Sequence, residues 1–73
     1  MKLYEINNCR ASLMSDYIYQ EANTATEAVL KAFNVKTKRS ANRQVDFLVI
    51  PVEKGEKGGY YKQGNQLGLV IKQ

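Results

Sequence analysis

The chain has 73 residues, which suffices for one small hydrophobic core and therefore for one domain spanning residues 1–73. It has no histidine and one cysteine, Cys9, so an internal disulfide and a Cys/His zinc site are both excluded. The net charge of +4 is unevenly distributed, because residues 31–43 carry five basic and no acidic side chains. Residues 1–30 carry two basic and four acidic ones. A polyanion is therefore expected to approach the middle of the chain.

The N-terminal half predicts two strands and a helix. Residues 2–7 and 15–22 are rich in β-prone side chains, and residues 8–12 would join them as a hairpin. Thr24 and Glu27 have the spacing of a capping box, with each side chain reaching the other's backbone N–H, and Asn34 suits a helix end. Between these residues an apolar stripe of period 3.6 predicts packing on a sheet: Ala25, Ala28, Val29, Ala32 and Phe33.

The C-terminal half predicts a loop followed by three strands. Residues 36–43 have no apolar periodicity and are expected to form an exposed loop, whereas residues 45–52 are almost continuously apolar. Such a run predicts a central strand buried on both faces, or a dimer interface. Gly64 and Asn65 have the pattern of a hairpin turn between residues 60–63 and 66–72. The expected fold is α+β in the order ββαβββ, with one helix on one face of an antiparallel sheet that ends in a three-stranded meander.

The residue types in this sequence do not favour catalysis. Without histidine, no Ser-His or Cys-His nucleophile can be assembled, and we expect no cleft around the carboxylates of Asp46, Glu53 and Glu56. Gly59 and Gly64 match the first spacing of a phosphate loop, but the required Lys-Ser/Thr and the helix after it are missing. We predict a protein that is not an enzyme and uses no cofactor. No segment has the apolar length of a signal peptide or a membrane span, so we expect a complete, soluble, cytoplasmic chain without a membrane partner.

Two sets of side chains are candidates for binding. The basic set can neutralise phosphates by counterion release: Lys31, Lys36, Lys38, Arg39 and Arg43. Tyrosines on the uncovered sheet face could stack on unpaired bases beside it, and the candidates for contact are Tyr17, Tyr19 and Tyr60. Tyr4 and Tyr61 could share that face, although one of Tyr60 and Tyr61 is expected in the core because neighbours in a strand point to opposite faces. The alternative for the basic set is a solvated loop that keeps the protein soluble and complements the helix dipole. The alternatives for the tyrosines are packing within the fold and contact with a protein.

The chain length, the element order and the helix start at Asn23 to Ala28 resemble small accessory proteins of phages and mobile elements, including some anti-CRISPR proteins. The resemblance covers the whole chain but includes no diagnostic residue. It implies an inhibitor or nucleic-acid accessory protein that acts by occupying a surface. We therefore predict a non-catalytic module that contacts nucleic acid or a protein–nucleic acid complex. The alternatives are a protein inhibitor or adaptor of the anti-CRISPR or anti-restriction class, and a homodimer joined through residues 45–52.

Overall fold

The computed structural model describes residues 1–10 and 17–72. In these ranges the chain forms one helix and six strands: β1 (Lys2–Asn8), β2 (Tyr17–Ala22), α1 (Ala25–Phe33), β3 (Thr37–Arg39), β4 (Phe47–Lys54), β5 (Tyr60–Lys62) and β6 (Leu67–Ile71). All strand pairs are antiparallel, which confirms the α+β prediction of one helix with one sheet. Strands β1 and β2 pair as predicted, but residues 11 and 12 of the predicted connection and residues 15 and 16 of the second predicted strand lie outside the described residues.

Strand β4 is central, as its composition predicts. The sheet order is β2-β1-β4-β6-β3, and β5 also pairs with β4. Strand β1 lies along one side of β4, while β6 and β5 pair with successive parts of its other side. Both edges of β4 are therefore used within the chain. The predicted dimer interface has no free strand edge here for a second copy to pair with.

We call the face of the sheet on which α1 packs the helix face, and the opposite face, which no helix of the described residues covers, the free face. Phe47 and Val49 of β4 belong to the core cluster on the helix face, together with Tyr4, Ile6, Ala22, Ala28, Val29 and Leu69. Ile50 and Val52 are only 6% exposed but lie outside this cluster. Because side chains alternate along a strand, Val52 points to the free face and Ile50 lies on the same side. The prediction that β4 is buried on both faces is confirmed.

Local signals place the helix correctly. The Glu27 N–H donates to the Thr24 hydroxyl at 3.2 Å, and Asn34 ends the helix in the left-handed conformation, with its N–H donating to the Leu30 carbonyl at 2.8 Å. The capping box also predicts that the Glu27 carboxylate accepts from the Thr24 N–H. In the structure this carboxylate instead pairs with the Lys31 ammonium at 3.1 Å. The apolar stripe buries Ala28 and Val29 completely, and its other members pack partly buried against the cluster.

Two predictions about the C-terminal half are wrong. Residues 36–43 are not a continuous loop, because Thr37–Arg39 form the edge strand β3, which pairs with β6. Gly64 and Asn65 are not a hairpin turn, because β5 and β6 both pair with β4. Strands β5 and β6 follow each other along the same side of β4, and residues 63–66 connect them. Within this connection the Gln63 N–H donates to the Pro51 carbonyl of β4 at 2.8 Å. The order is thus ββαββββ rather than ββαβββ.

The turn between β4 and β5 is built from glycine. The Gly55 N–H donates to the Gly59 carbonyl at 2.6 Å, and Gly58 adopts a positive φ of 87° that other residues rarely accept. In the part of the chain that the structure covers, no helix is long and apolar enough to cross a membrane.

Candidate nucleic-acid interface

The predicted basic loop is reorganised by strand β3 at the edge of the sheet. Thr37 and Arg39 pair with Ile71 and Leu69, and Leu69 belongs to the helix-face cluster, whereas Lys38 pairs with Val70. Because side chains alternate along a strand, Arg39 lies on the helix face and Lys38 on the free face. Both side chains are exposed. The edge therefore presents a cation on each side of one backbone.

Further cations extend this edge in both directions. The Lys72 N–H donates to the Lys36 carbonyl at 2.8 Å, which continues the β3–β6 ladder and holds these two exposed residues side by side. Arg43 is exposed in the loop that follows β3. We call these five residues the basic edge: Lys36, Lys38, Arg39, Arg43 and Lys72. Lys72 is absent from the basic set predicted from sequence, since only the β3–β6 pairing brings it here.

Hydrogen bonds fix the loop that carries Arg43. Its two ends are attached to β6, because the Ser40 N–H donates to the Gly68 carbonyl at 3.0 Å and the Asp46 N–H to the Leu69 carbonyl at 2.8 Å. The Ser40 hydroxyl lies 2.6 Å from the Gln44 carbonyl oxygen, which closes the loop on itself. The backbone of the loop that carries Arg43 is thus joined to β6 at both ends by hydrogen bonds within the chain.

Carboxylates near the basic edge are already engaged. Strands β3 and β6 contain no acidic residue. The Asp46 carboxylate accepts the Ile71 N–H at 2.8 Å and lies 3.9 Å from the Arg10 guanidinium. Glu27 pairs with Lys31 at 3.1 Å. Since no ion pair within the described residues involves the five cations of the basic edge, their charge is directed to solvent.

Lys31 does not join the basic edge. It lies on α1, its ammonium pairs with Glu27, and its Nζ atom is 3.9 Å from the Met1 sulfur. Lys2, which is not in the basic set predicted from the sequence, lines an open cleft of about 430 Å³ together with Arg39 and with Thr24 and Ala25 of the helix start. The positive end of the helix dipole adds to the cationic character of this cleft. The helix face thus has a second cationic region next to the basic edge.

Two of the three candidate tyrosines lie at the opposite edge of the sheet from β3. Tyr17 and Tyr19 belong to β2, the opposite edge of the sheet, and Tyr60 of β5 stacks on Tyr19 with ring centroids 3.9 Å apart and planes 13° from parallel. Tyr4 is buried in the core and Tyr61 lies against Gly55, so neither belongs to this group. The prediction that Tyr60 or Tyr61 is in the core is wrong, because they are 38% and 61% exposed.

Acidic groups accompany these tyrosines. The Tyr19 hydroxyl donates to the Glu5 carboxylate at 2.9 Å, and burial together with this bond raises the pKa of Tyr19. Glu21 is two residues from Tyr19 and four from Tyr17 along β2, so it is exposed on the same face of the strand. Four strand spacings, about 19 Å, separate β2 from β3. Tyr17 and Tyr19 therefore do not share a surface with the basic edge, and Tyr60, which pairs with Lys54, is stacked on Tyr19.

The remaining groups considered as candidate sites are the Cys9 thiol and clusters of metal-binding side chains. Cys9 is an exposed free thiol whose sulfur lies 3.7 Å from the Asn7 carbonyl. No cluster of three or more His, Cys, Asp or Glu residues that could hold a metal ion occurs in residues 1–10 and 17–72.

No protein-family model, no curated protein and no solved structure matches this chain.

Proposed function

We propose that this protein is a small, non-catalytic, cytoplasmic module that binds nucleic acid by phosphate contacts along the basic edge. The observation that carries the proposal is the position of β3 at one outer edge of the sheet, with Lys38 and Arg39 on opposite faces of that edge. A phosphate backbone that follows such an edge meets cations from both sides. Lys36, Lys72 and Arg43 lengthen the contact beyond the three residues of β3.

Binding of this kind depends on charge and not on base sequence. Contacts to phosphates release counterions, so affinity falls steeply with salt and does not discriminate between sequences. Base stacking on Tyr17, Tyr19 and Tyr60 is not part of the proposal, because Tyr17 and Tyr19 lie on the far edge strand β2 and the Tyr60 ring is already stacked on Tyr19. We therefore expect single strands and duplexes to bind with comparable affinity.

The tyrosine surface supports a second candidate function, which is contact with a protein. Tyr17 is 52% exposed and Tyr60 is 38% exposed, and exposed tyrosines are frequent at the centres of protein interfaces. A protein bound at β2 would leave the basic edge free for nucleic acid. Both contacts together would suit an inhibitor of a nucleic-acid-handling complex, the role that the resemblance to phage and anti-CRISPR accessory proteins implies.

The test of the main proposal is fluorescence anisotropy with labelled single-stranded DNA, duplex DNA and RNA from about 50 to about 300 mM salt. The variant Lys38→Ala/Arg39→Ala/Arg43→Ala is compared with Lys54→Ala/Lys57→Ala/Lys62→Ala, which removes the same charge away from the basic edge. We expect the first variant to lower the slope of log affinity against log salt by about two to three units and the control to lower it little. Absence of binding at the lowest salt, or equal losses in both variants, would refute the proposal.

A further inference from the structure

A groove runs between α1 and the edge strand β3, next to the basic edge. Its volume is about 300 Å³, and it is lined by Thr26, Glu27, Leu30, Lys36, Thr37 and Lys72. Two of these residues are cations that the β3–β6 ladder holds side by side, through the 2.8 Å bond from the Lys72 N–H to the Lys36 carbonyl. The spacing of the two lysine backbones is therefore set by the sheet and does not depend on side-chain contacts.

Thr37 is the unusual residue of this groove. It is 9% exposed, and its hydroxyl oxygen is buried without a hydrogen-bond partner among the described residues. Burying a hydroxyl without a partner is unfavourable, and most buried polar side chains are satisfied. Valine has nearly the same shape and would fill this position on the helix face without that cost. Thr37 lines the groove together with Lys36 and Lys72, so the hydroxyl without a partner belongs to a residue of the groove wall.

The charge balance of the groove favours an anion. Glu27 contributes a carboxylate to the lining, but this carboxylate pairs with the Lys31 ammonium at 3.1 Å. The positive charges of Lys36 and Lys72 therefore remain in excess over the paired Glu27. Phosphate suits this arrangement because its oxygens accept hydrogen bonds from ammonium groups and from a hydroxyl together.

We propose that this groove binds a phosphate group, with Lys36 and Lys72 providing charge and the Thr37 hydroxyl donating a hydrogen bond. The group can be free phosphate or a phosphodiester of a bound strand. In the second case the inference rests on the proposed function, and the groove holds one phosphate of the strand in a fixed position beside the basic edge.

The test is an NMR titration of the ¹⁵N-labelled protein with inorganic phosphate, against chloride at equal ionic strength, and in parallel with a short single-stranded DNA. Phosphate should shift the amides of Thr37 and Lys72. Thr37→Val should weaken phosphate binding about tenfold, since a hydrogen bond to a charged group is lost. The same variant should raise the melting temperature, because the unsatisfied hydroxyl is gone. Thr37→Ser keeps the hydroxyl and should retain binding.

A second pair of variants tests the charge. Glu27→Gln should tighten phosphate binding, and Lys72→Gln should weaken it, while Lys62→Gln, on β5 and outside the lining of the groove, should change nothing. Lack of shifts at Thr37 and Lys72, or a Thr37→Val protein that is less stable and binds phosphate equally well, would overturn the inference. If phosphate binds the groove but DNA does not bind, the groove stands and the proposed function fails. If DNA binds and Thr37→Val changes neither ligand, the groove fails alone.

Discussion

The substitution Gly68→Ala tests whether the Arg43 loop packs on β6 as described. A Cβ atom at Gly68 would lie 2.5 Å from the Val45 Cγ1 atom, closer than side chains approach each other. Val45 is β-branched and has little rotamer freedom with which to move away. Overpacking costs about 1–3 kcal/mol, and replacing glycine recovers about 0.4–1 kcal/mol from the unfolded state. We expect a net loss of about 1–2 kcal/mol, which for a domain of this size lowers the melting temperature by about 4–15 °C.

The measurement is urea denaturation of four proteins: the natural sequence, Gly68→Ala, Val45→Ala and the double variant. Because the methyl group introduced by Gly68→Ala would occupy space that the Val45→Ala change vacates, the two losses should not add. We expect a coupling energy of about 1 kcal/mol, within the range for residues in contact. If Gly68→Ala is as stable as the natural protein, or if the two effects are additive, Val45 does not pack on Gly68 and the position of the Arg43 loop is wrong.

Two further predictions concern single contacts. Asp46→Ala leaves the Ile71 N–H without its acceptor, and we expect urea denaturation to show a loss of about 1–3 kcal/mol in the free energy of unfolding. The control Glu56→Ala, in an exposed turn, should change this free energy by less than about 0.5 kcal/mol. Equal effects of the two variants would contradict the role of Asp46. Tyr19 has a raised pKa, so its contribution to stability is complete below pH ~10 and is lost as pH rises through the folded-state pKa. Tyr19→Phe should flatten this alkaline loss, and an unchanged profile of urea midpoint against pH would contradict it.

Elements specified by local chemistry are predictable from this sequence. The Thr24 cap and Asn34 bracket the helix because capping depends on residues three or four positions apart. The central position of β4 follows from its composition, since only a strand covered on both faces can be apolar at nearly every position. Neither inference needs knowledge of which strands pair.

Features that depend on which strands pair could not be predicted from the sequence. Strand β3 has three residues, two of them charged, so it has no apolar alternation, and it forms only because β6 offers a free side. Lys36 and Lys72 become neighbours through that same pairing. Gly64 has the composition of a hairpin turn, but Gln63 continues to bond with β4 and the turn does not form. The sequence predicts one surface of tyrosines and cations because it does not reveal that β2 and β3 are opposite edges.

The charges on β3 also have a consequence for solubility. An outer strand exposes unpaired backbone groups that can template pairing with another chain, and lysines on such a strand prevent this by repulsion between copies. Strand β3 is short and carries Lys38 and Arg39, so two molecules that meet at this edge repel each other. A polyanion that covers the edge would remove this repulsion while blocking the same backbone groups. Substitution of Lys38 and Arg39 by neutral residues would remove this repulsion and leave the backbone groups of β3 open to pairing.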